Sequence, residues 1–293
     1  MTTSPNPAEL FTLLSEPPLD QPALVLCLHG WIDAGGSAQE ACETILEQMD
    51  RRTVARFDTE QLIDHRARRP TLHIVESVST GLDWPEIELT AGQDSTGNDL
   101  LVLHGVEPDH HWRGFVTAVT ELAIRFEVRR VVGFGAYPAP SPHTRRSRLS
   151  ATAATPELAS LSFSPATIDV PAGVQAALEI SMYQVGIDAV GLWAQVPHYV
   201  SGSRYPAAAQ ALVEGLVPAA GLVFDSGELA AEALAARNRL DSLIAENPSH
   251  AEMMRALEVQ YDALVDAEAD LASGHDLAAQ LEEFLRHQGD RDT

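Results

Sequence analysis

The chain contains no lysine. All 19 basic residues are arginine, against 42 aspartates and glutamates, giving a formal charge of −23 over 293 residues. This absence excludes chemistry built on a lysine amine: Schiff-base catalysis, pyridoxal-phosphate anchoring, and the Walker-type phosphate loop, whose lysine must reach the terminal phosphates. The scarcity of positive charge argues against general nucleic-acid binding, because affinity for that backbone comes from neutralising phosphates. An anionic membrane surface would repel the chain as well. Cysteine is nearly absent. Cys27 and Cys42 stand alone, with no C-x-x-C and no histidine spacing suited to zinc, so two free thiols in a reducing cytosol are the expectation. Long apolar runs are missing too: nothing approaches the roughly 18 residues that span a bilayer. The first residues, MTTSPNPAELFTLLSEPP, lack the basic and apolar regions of a signal peptide. The expectation is a cytoplasmic protein without metal or cofactor that binds neither nucleic acid nor membrane.

What is present suffices for one large core, since roughly 75% of the unfolded surface can be buried at this length without a staple. From residue 21 to about 217, short apolar runs alternate with helical patterns, the signature of a layered α/β domain. Strands are expected at Ala23 to Leu28, Leu72 to Glu76, Leu100 to His104, Arg130 to Phe134 and Ala189 to Ala194, each apolar enough to be buried on both faces. Helical patterns cover Ser37 to Met49, Trp112 to Phe126, Val174 to Val185 and Pro206 to Leu216. Ser37-x-x-Glu40 reads as a capping box, and Pro206 as a first-turn proline. Glu86 to Leu103 reads as a hairpin around Asp94 to Asn98, so the sheet should be mixed.

At Asp225 the composition shifts. Residues 225–293 hold 16 acidic and 5 basic side chains, with apolar positions at helical spacing. Leu229, Ala233, Ala236, Leu240 and Ile244 line one helix; Met254, Leu257, Tyr261, Leu264 and Leu271 line a second. Asn247-Pro248-Ser249 breaks them, with Ser249-x-x-Glu252 as a further capping box, and Leu277, Leu281, Phe284 and Leu285 mark a third. The expected organisation is an α/β domain over 1–224 and an acidic helical extension over 225–293, either folded back on that domain or reaching to another subunit.

Four segments at strand ends could carry chemistry. His29-Gly30-Trp31-Ile32-Asp33-Ala34-Gly35-Gly36 turns sharply into a helix, whose free N–H groups could hold an anion, although Asp33 would repel one. It is neither a dinucleotide nor a phosphate loop. A serine hydrolase would need a G-x-S-x-G elbow on a later strand, and the corresponding segment is Gly133-Phe134-Gly135-Ala136-Tyr137, without Ser or Cys. The cluster from His104 to Trp112 contains Glu107, Asp109, His110 and His111 but matches no zinc spacing; Asp109 is expected to cap the following helix. The segment from Tyr137 to Arg148 joins three prolines to an arginine cluster. It could seize an anion or an acidic partner, or pair with the chain's own carboxylates. The fourth is Leu192 to Val200, with His198 beside Tyr199. Strand ends of α/β sheets gather ligands, so a pocket formed by His29, Gly30, Asp33, Gly35, Gly36, Glu107, Tyr137, His143, Arg145 and His198 is expected. It would offer acids, bases and donors without an activated nucleophile.

The segments GWIDAGG, GVEPDHHW, GAYPAPSPHTR and LWAQVPHYV, in this order and at these separations, resemble the proteasome-assembly-chaperone-2-like family in its actinobacterial branch. The resemblance implies a three-layer α/β/α fold like that of nucleoside phosphorylases and certain peptidases, and self-association. It implies protein partners related to the proteasome, as for relatives that hold α-subunits during ring assembly. The hydrophobic-Tyr-X tail by which some archaeal relatives engage the proteasome has no counterpart in Gly289 to Thr293. The leading functional expectation is therefore a non-catalytic binding or assembly protein. The alternative is an enzyme for a small anionic molecule, with His143 or His198 as acid/base and Arg145 as clamp.

Overall fold

The computed structural model describes residues 6–30, 32–155, 159, 167 and 169–267. It contains two compact units: the chain up to Ala139 with Arg146–Ala236, and Pro140–Arg145 with the chain from Arg237 on. In chain order the described elements are β1 (Phe11–Leu13), β2 (Ala23–His29), α1 (Ser37–Gln48), β3 (Arg52–Phe57), α2 (Thr59–Leu62), β4 (Thr71–Val75), β5 (Val78–Asp83), β6 (Ile87–Gln93), β7 (Asp99–Val106), α3 (Trp112–Arg125), β8 (Arg130–Ala139), β9 (Leu149–Ala153), α4 (Val174–Gln184), β10 (Asp188–Pro197), α5 (Pro206–Ala220) and α6 (Gly227–Ala245). A helix over 248–267, α7, follows.

Eight strands form one sheet in the order β1-β3-β6-β7-β2-β8-β10-β9. β7, β2, β8 and β10 run parallel at its centre; β6, β3 and β1 extend one side antiparallel, and β9 the other. The central strands are the continuous apolar runs of the sequence, and alternate residues serve opposite faces. Leu24 and Leu26 of β2 pack with Leu101, Leu103, Phe115 of α3 and Leu178 of α4. Cys27, pointing the other way, reaches Cys42 of α1, and α5 packs beside α1 on that face. Helices on both faces of a mixed sheet make the three-layer fold that the resemblance implies. The β6–β7 hairpin is present as read. Burial alone would raise the Asp94 carboxyl, but hydrogen bonds from the Asn98 side chain and the backbone N–H groups of Val223, Asn98 and Thr96 outweigh it and hold it at about 2.

Several local expectations need correction. Cys27 and Cys42 are not free thiols: they form a disulfide, and both are 2% exposed. A separation of 15 residues places one on a central strand and the other one turn into the helix packed on it, a proximity that spacing alone does not reveal. The Leu72 to Glu76 strand exists as β4, yet among the described residues it pairs with β5 alone, in a separate two-stranded sheet, and is exposed along its length. Ser37 does not open a capping box. α1 starts from Gly36, whose Ser37 neighbour turns its hydroxyl to the carbonyl of Ala34 (2.9 Å), while Glu40 pairs with Arg204. The free N–H groups of that first turn are instead taken by Asp33, which accepts from Ala38 (2.7 Å) and Gln39 (3.0 Å). Asp109 does not cap α3, which starts from His111; it accepts from the Asp64 N–H and pairs with Arg68.

In the second unit the imidazole of His143 meets Asp241 (3.1 Å), Thr144 donates to Glu258, and Arg145 forms a bidentate pair with Asp262 (2.8 and 2.7 Å). α7 is capped by Asn247, whose side chain accepts from the Ser249 N–H (3.0 Å), so Asn247 rather than Ser249 is the capping residue. Tyr261 is buried and Leu264 exposed. Leu271, Leu277, Leu281, Phe284 and Leu285 lie outside the described residues.

Candidate functional site

The parallel strands β2 and β7 are neighbours whose following helices leave to opposite faces: α1 covers the Cys27 face, α3 the Leu24 face. Such a point opens a crevice at the carboxyl ends of the strands. A cavity of about 250 Å³ lies there, in the first unit. Its wall takes Cys27 to Gly30, Ile32 and Asp33 from the end of β2, Glu107 from the end of β7, Phe134 from β8, Thr152 to Ala154 from β9, residues 170–176 leading into α4, and Glu179, Ile180 and Trp193.

Of the residues read from the sequence, His29, Gly30, Asp33 and Glu107 line this cavity. Glu107 is fixed from two sides: its backbone N–H donates to the His29 carbonyl (2.7 Å), and its Oε1 accepts from the Val174 N–H (2.6 Å) at the start of α4. Gly30 stands against it, since a Cβ there would come within 2.7 Å of the Glu107 carboxyl. Burial pushes the His29 imidazole below its ordinary range, against the pull of Asp33 and Glu43. Gly35 and Gly36 border a different, open depression with Asp33 and Ser201 to Arg204. Both hold positive φ, at 68° and 61°, and Gly35 exchanges backbone hydrogen bonds with the Ser201 and Tyr205 segment. Tyr137 bonds Ser150 (2.8 Å) and receives the Gln195 amide (3.2 Å). His198 begins a short helical turn and sits edge-on to Tyr199. His143 and Arg145 belong to the second unit, with the partners given above.

Sequence reasoning missed the most perturbed group in the cavity. Glu179 is 6% exposed, and burial pushes its carboxyl up to about 7, partly opposed by hydrogen bonds from Gln175 (3.0 Å) and Thr152 (3.2 Å). Thr152 in turn receives the indole N–H of Trp193 (2.9 Å). This polar layer lies on the sheet because β10 has no side chain beneath it: a Cβ at Gly191 would come within 2.5 Å of the Glu179 Oε1. The available signal was a Gln175–Glu179 pair, four residues apart, inside an otherwise apolar helix.

The model of the PAC2 family matches residues 27–244, a span that includes the cavity residues named above. The chain belongs to the PAC2 family. Among solved structures, a Mycobacterium tuberculosis protein of unknown function is 35% identical, with 93% of this chain and 95% of that one covered at a TM-score of 0.84. A PAC2 family protein from Streptomyces avermitilis is 30% identical over 79% and 98%, TM-score 0.70. A proteasome-assembly chaperone homologue from M. tuberculosis is 28% identical over 78% and 98%, TM-score 0.72. No curated protein matches. Among the described residues no helix is long and apolar enough to cross a membrane.

Proposed function

We propose that this PAC2 protein is a non-catalytic protein-binding factor of the assembly-chaperone kind, acting as a homo-oligomer on a proteasome-related client. The observation that carries the reading is the similarity, over 98% of that chain's length, to a proteasome-assembly chaperone homologue. A physical feature supports self-association: the β4–β5 hairpin exposes Leu72, Ile74, Val75, Val78 and Leu82, and Trp84 follows it. Two-stranded hairpins alone are marginal in water, and clustered exposed apolar side chains mark interaction surfaces. Arg66 and Arg69, both exposed, precede the hairpin. In a chain of charge −23, a basic flank beside an apolar ribbon suits the acidic surface of a second copy. A proteasome-related client places the protein in the cytoplasm, where burial of both sulfurs would shield the Cys27–Cys42 bond from cellular thiols.

The competing reading, an enzyme for a small anion, draws little from the site. Asp33 already fills the anion-binding start of α1, Glu107 that of α4, and Arg145 is engaged by Asp262. The proposal is tested by mixing the full chain with the proteasome α-subunits of its own source and following complexes by native mass spectrometry. A stoichiometric complex is expected. An α-subunit spectrum unchanged by excess chain overturns the client assignment.

A further inference from the structure

Glu179 presents a physical problem. Its carboxyl is buried against the sheet, and the groups that reach it, Gln175 and Thr152, are neutral. Burying an ionised carboxyl without a cation is costly, so such a group either keeps its proton or takes a cation from outside, and in a cleft it marks a candidate binding site. The other titratable groups described in the cavity wall are His29, whose imidazole burial holds below its ordinary range, Asp33 and Glu107; none of the described lining residues is Lys or Arg. Asp33 and Glu107 each accept backbone N–H groups. The rest of the wall is largely apolar: Leu28, Ile32, Phe134, Ala154, Val170 and Ile180. At about 250 Å³ the space lies below the roughly 300 Å³ at which drug-sized pockets begin, so it suits a compact ligand.

We propose that this cavity is a binding site for a small cationic amine with an apolar body, the ammonium pairing with Glu179 and the body lying against Phe134 and Ile180. A carboxylate offers about four lone-pair positions, and Gln175 and Thr152 use two, leaving room for the ammonium. The same acidic lining repels a carboxylate or phosphate ligand. The inference is independent of the client of the protein-binding surface, because the cavity residues are not those of the β4–β5 hairpin.

The test uses the full chain and three probes of one shape: benzylamine, benzyl alcohol and benzoate, titrated at pH 8. Binding is read from the indole N–H resonance of Trp193, which reports on Thr152 and Glu179, and from the thermal midpoint. Benzylamine should shift the resonance saturably and bind at least about tenfold more tightly than the alcohol, with benzoate weakest. Glu179→Gln should remove that preference while leaving the spectrum otherwise native and the self-association unchanged. Ala154→Phe, which fills the cavity from its rim, should abolish binding of all probes and provides the check should Glu179→Gln fold poorly. Equal or tighter binding of benzoate or the alcohol, an amine preference that survives Glu179→Gln, or no response to any probe overturns the proposal.

Discussion

At the scale of single residues, the Glu179 carboxyl sets a pH dependence whose sign follows from linkage. Its ordinary value is 4.5 and in the folded chain it lies at about 7, with burial as the main cause. Below 4.5 both folded and unfolded chains hold the proton, and the group costs nothing. Between 4.5 and about 7 the unfolded chain releases the proton while the folded chain keeps it, so stability falls as pH rises through that window. The full difference corresponds to about 3 kcal/mol at most. Glu179→Gln cannot ionise, so its unfolding free energy from urea titrations should lack this decline and exceed that of the parent above pH 7. A parent protein whose stability is flat between pH 5 and 7, with no gain in the variant, would show that the carboxyl is hydrated. The Gly191 position beneath it should respond sharply to a methyl group, because the Cβ and the carboxyl oxygen would compete for the same space.

At the scale of elements, the Cys27–Cys42 bond fastens α1 to the central strand β2. Closing a loop of this length restricts the unfolded chain by about 3 kcal/mol in the chain-entropy model. Replacing both cysteines by alanine should therefore lower the thermal midpoint by several degrees, and a reductant should lower that of the parent but not of the double variant. Two free thiols per chain, counted in denaturant without reductant, would mean the two sulfurs are not joined in solution. The bond also illustrates what can be read from sequence. β2, β7, β8 and β10 are legible because strands buried on both faces are apolar at nearly every position. β3, RTVARF, and β9, LSATA, carry no such run and become strands through hydrogen bonds to distant neighbours, so their sequences do not announce them. β4 fails in the opposite way: TLHIV has the apolar run, but a run does not say whether anything covers it. The site divides along the same line. His29, Gly30, Asp33 and Glu107 follow from strand ends in sequence, whereas Glu179, Thr152 and Trp193 come from three elements and meet only because Gly191 leaves a gap.

For the molecule as a whole, the decisive contrast is between the acidic surface and the apolar hairpin. A charge of −23 repels other copies at long range, yet β4 and β5 leave Ile74 at 60% and Val78 at 62% exposure beside Arg66 and Arg69. Association through this ribbon must gain enough from apolar burial and local charge complementarity to exceed that repulsion. Two consequences follow from the balance. Added salt screens the net repulsion over a Debye length of about 8 Å near physiological ionic strength, but weakens the arginine contacts as well, so the apolar part should dominate the response. Ile74→Asp with Val78→Asp places new charge at the centre of the ribbon, on exposed positions outside the eight-stranded sheet and the cavity lining, and should leave the fold and the Trp193 resonance unchanged. Sedimentation velocity should then show the parent as a discrete oligomer that persists in high salt, and the double variant as a monomer at the same concentration. If the parent sediments as a monomer, or the double variant keeps the parent's oligomer, self-association does not use the hairpin and the acidic surface prevails.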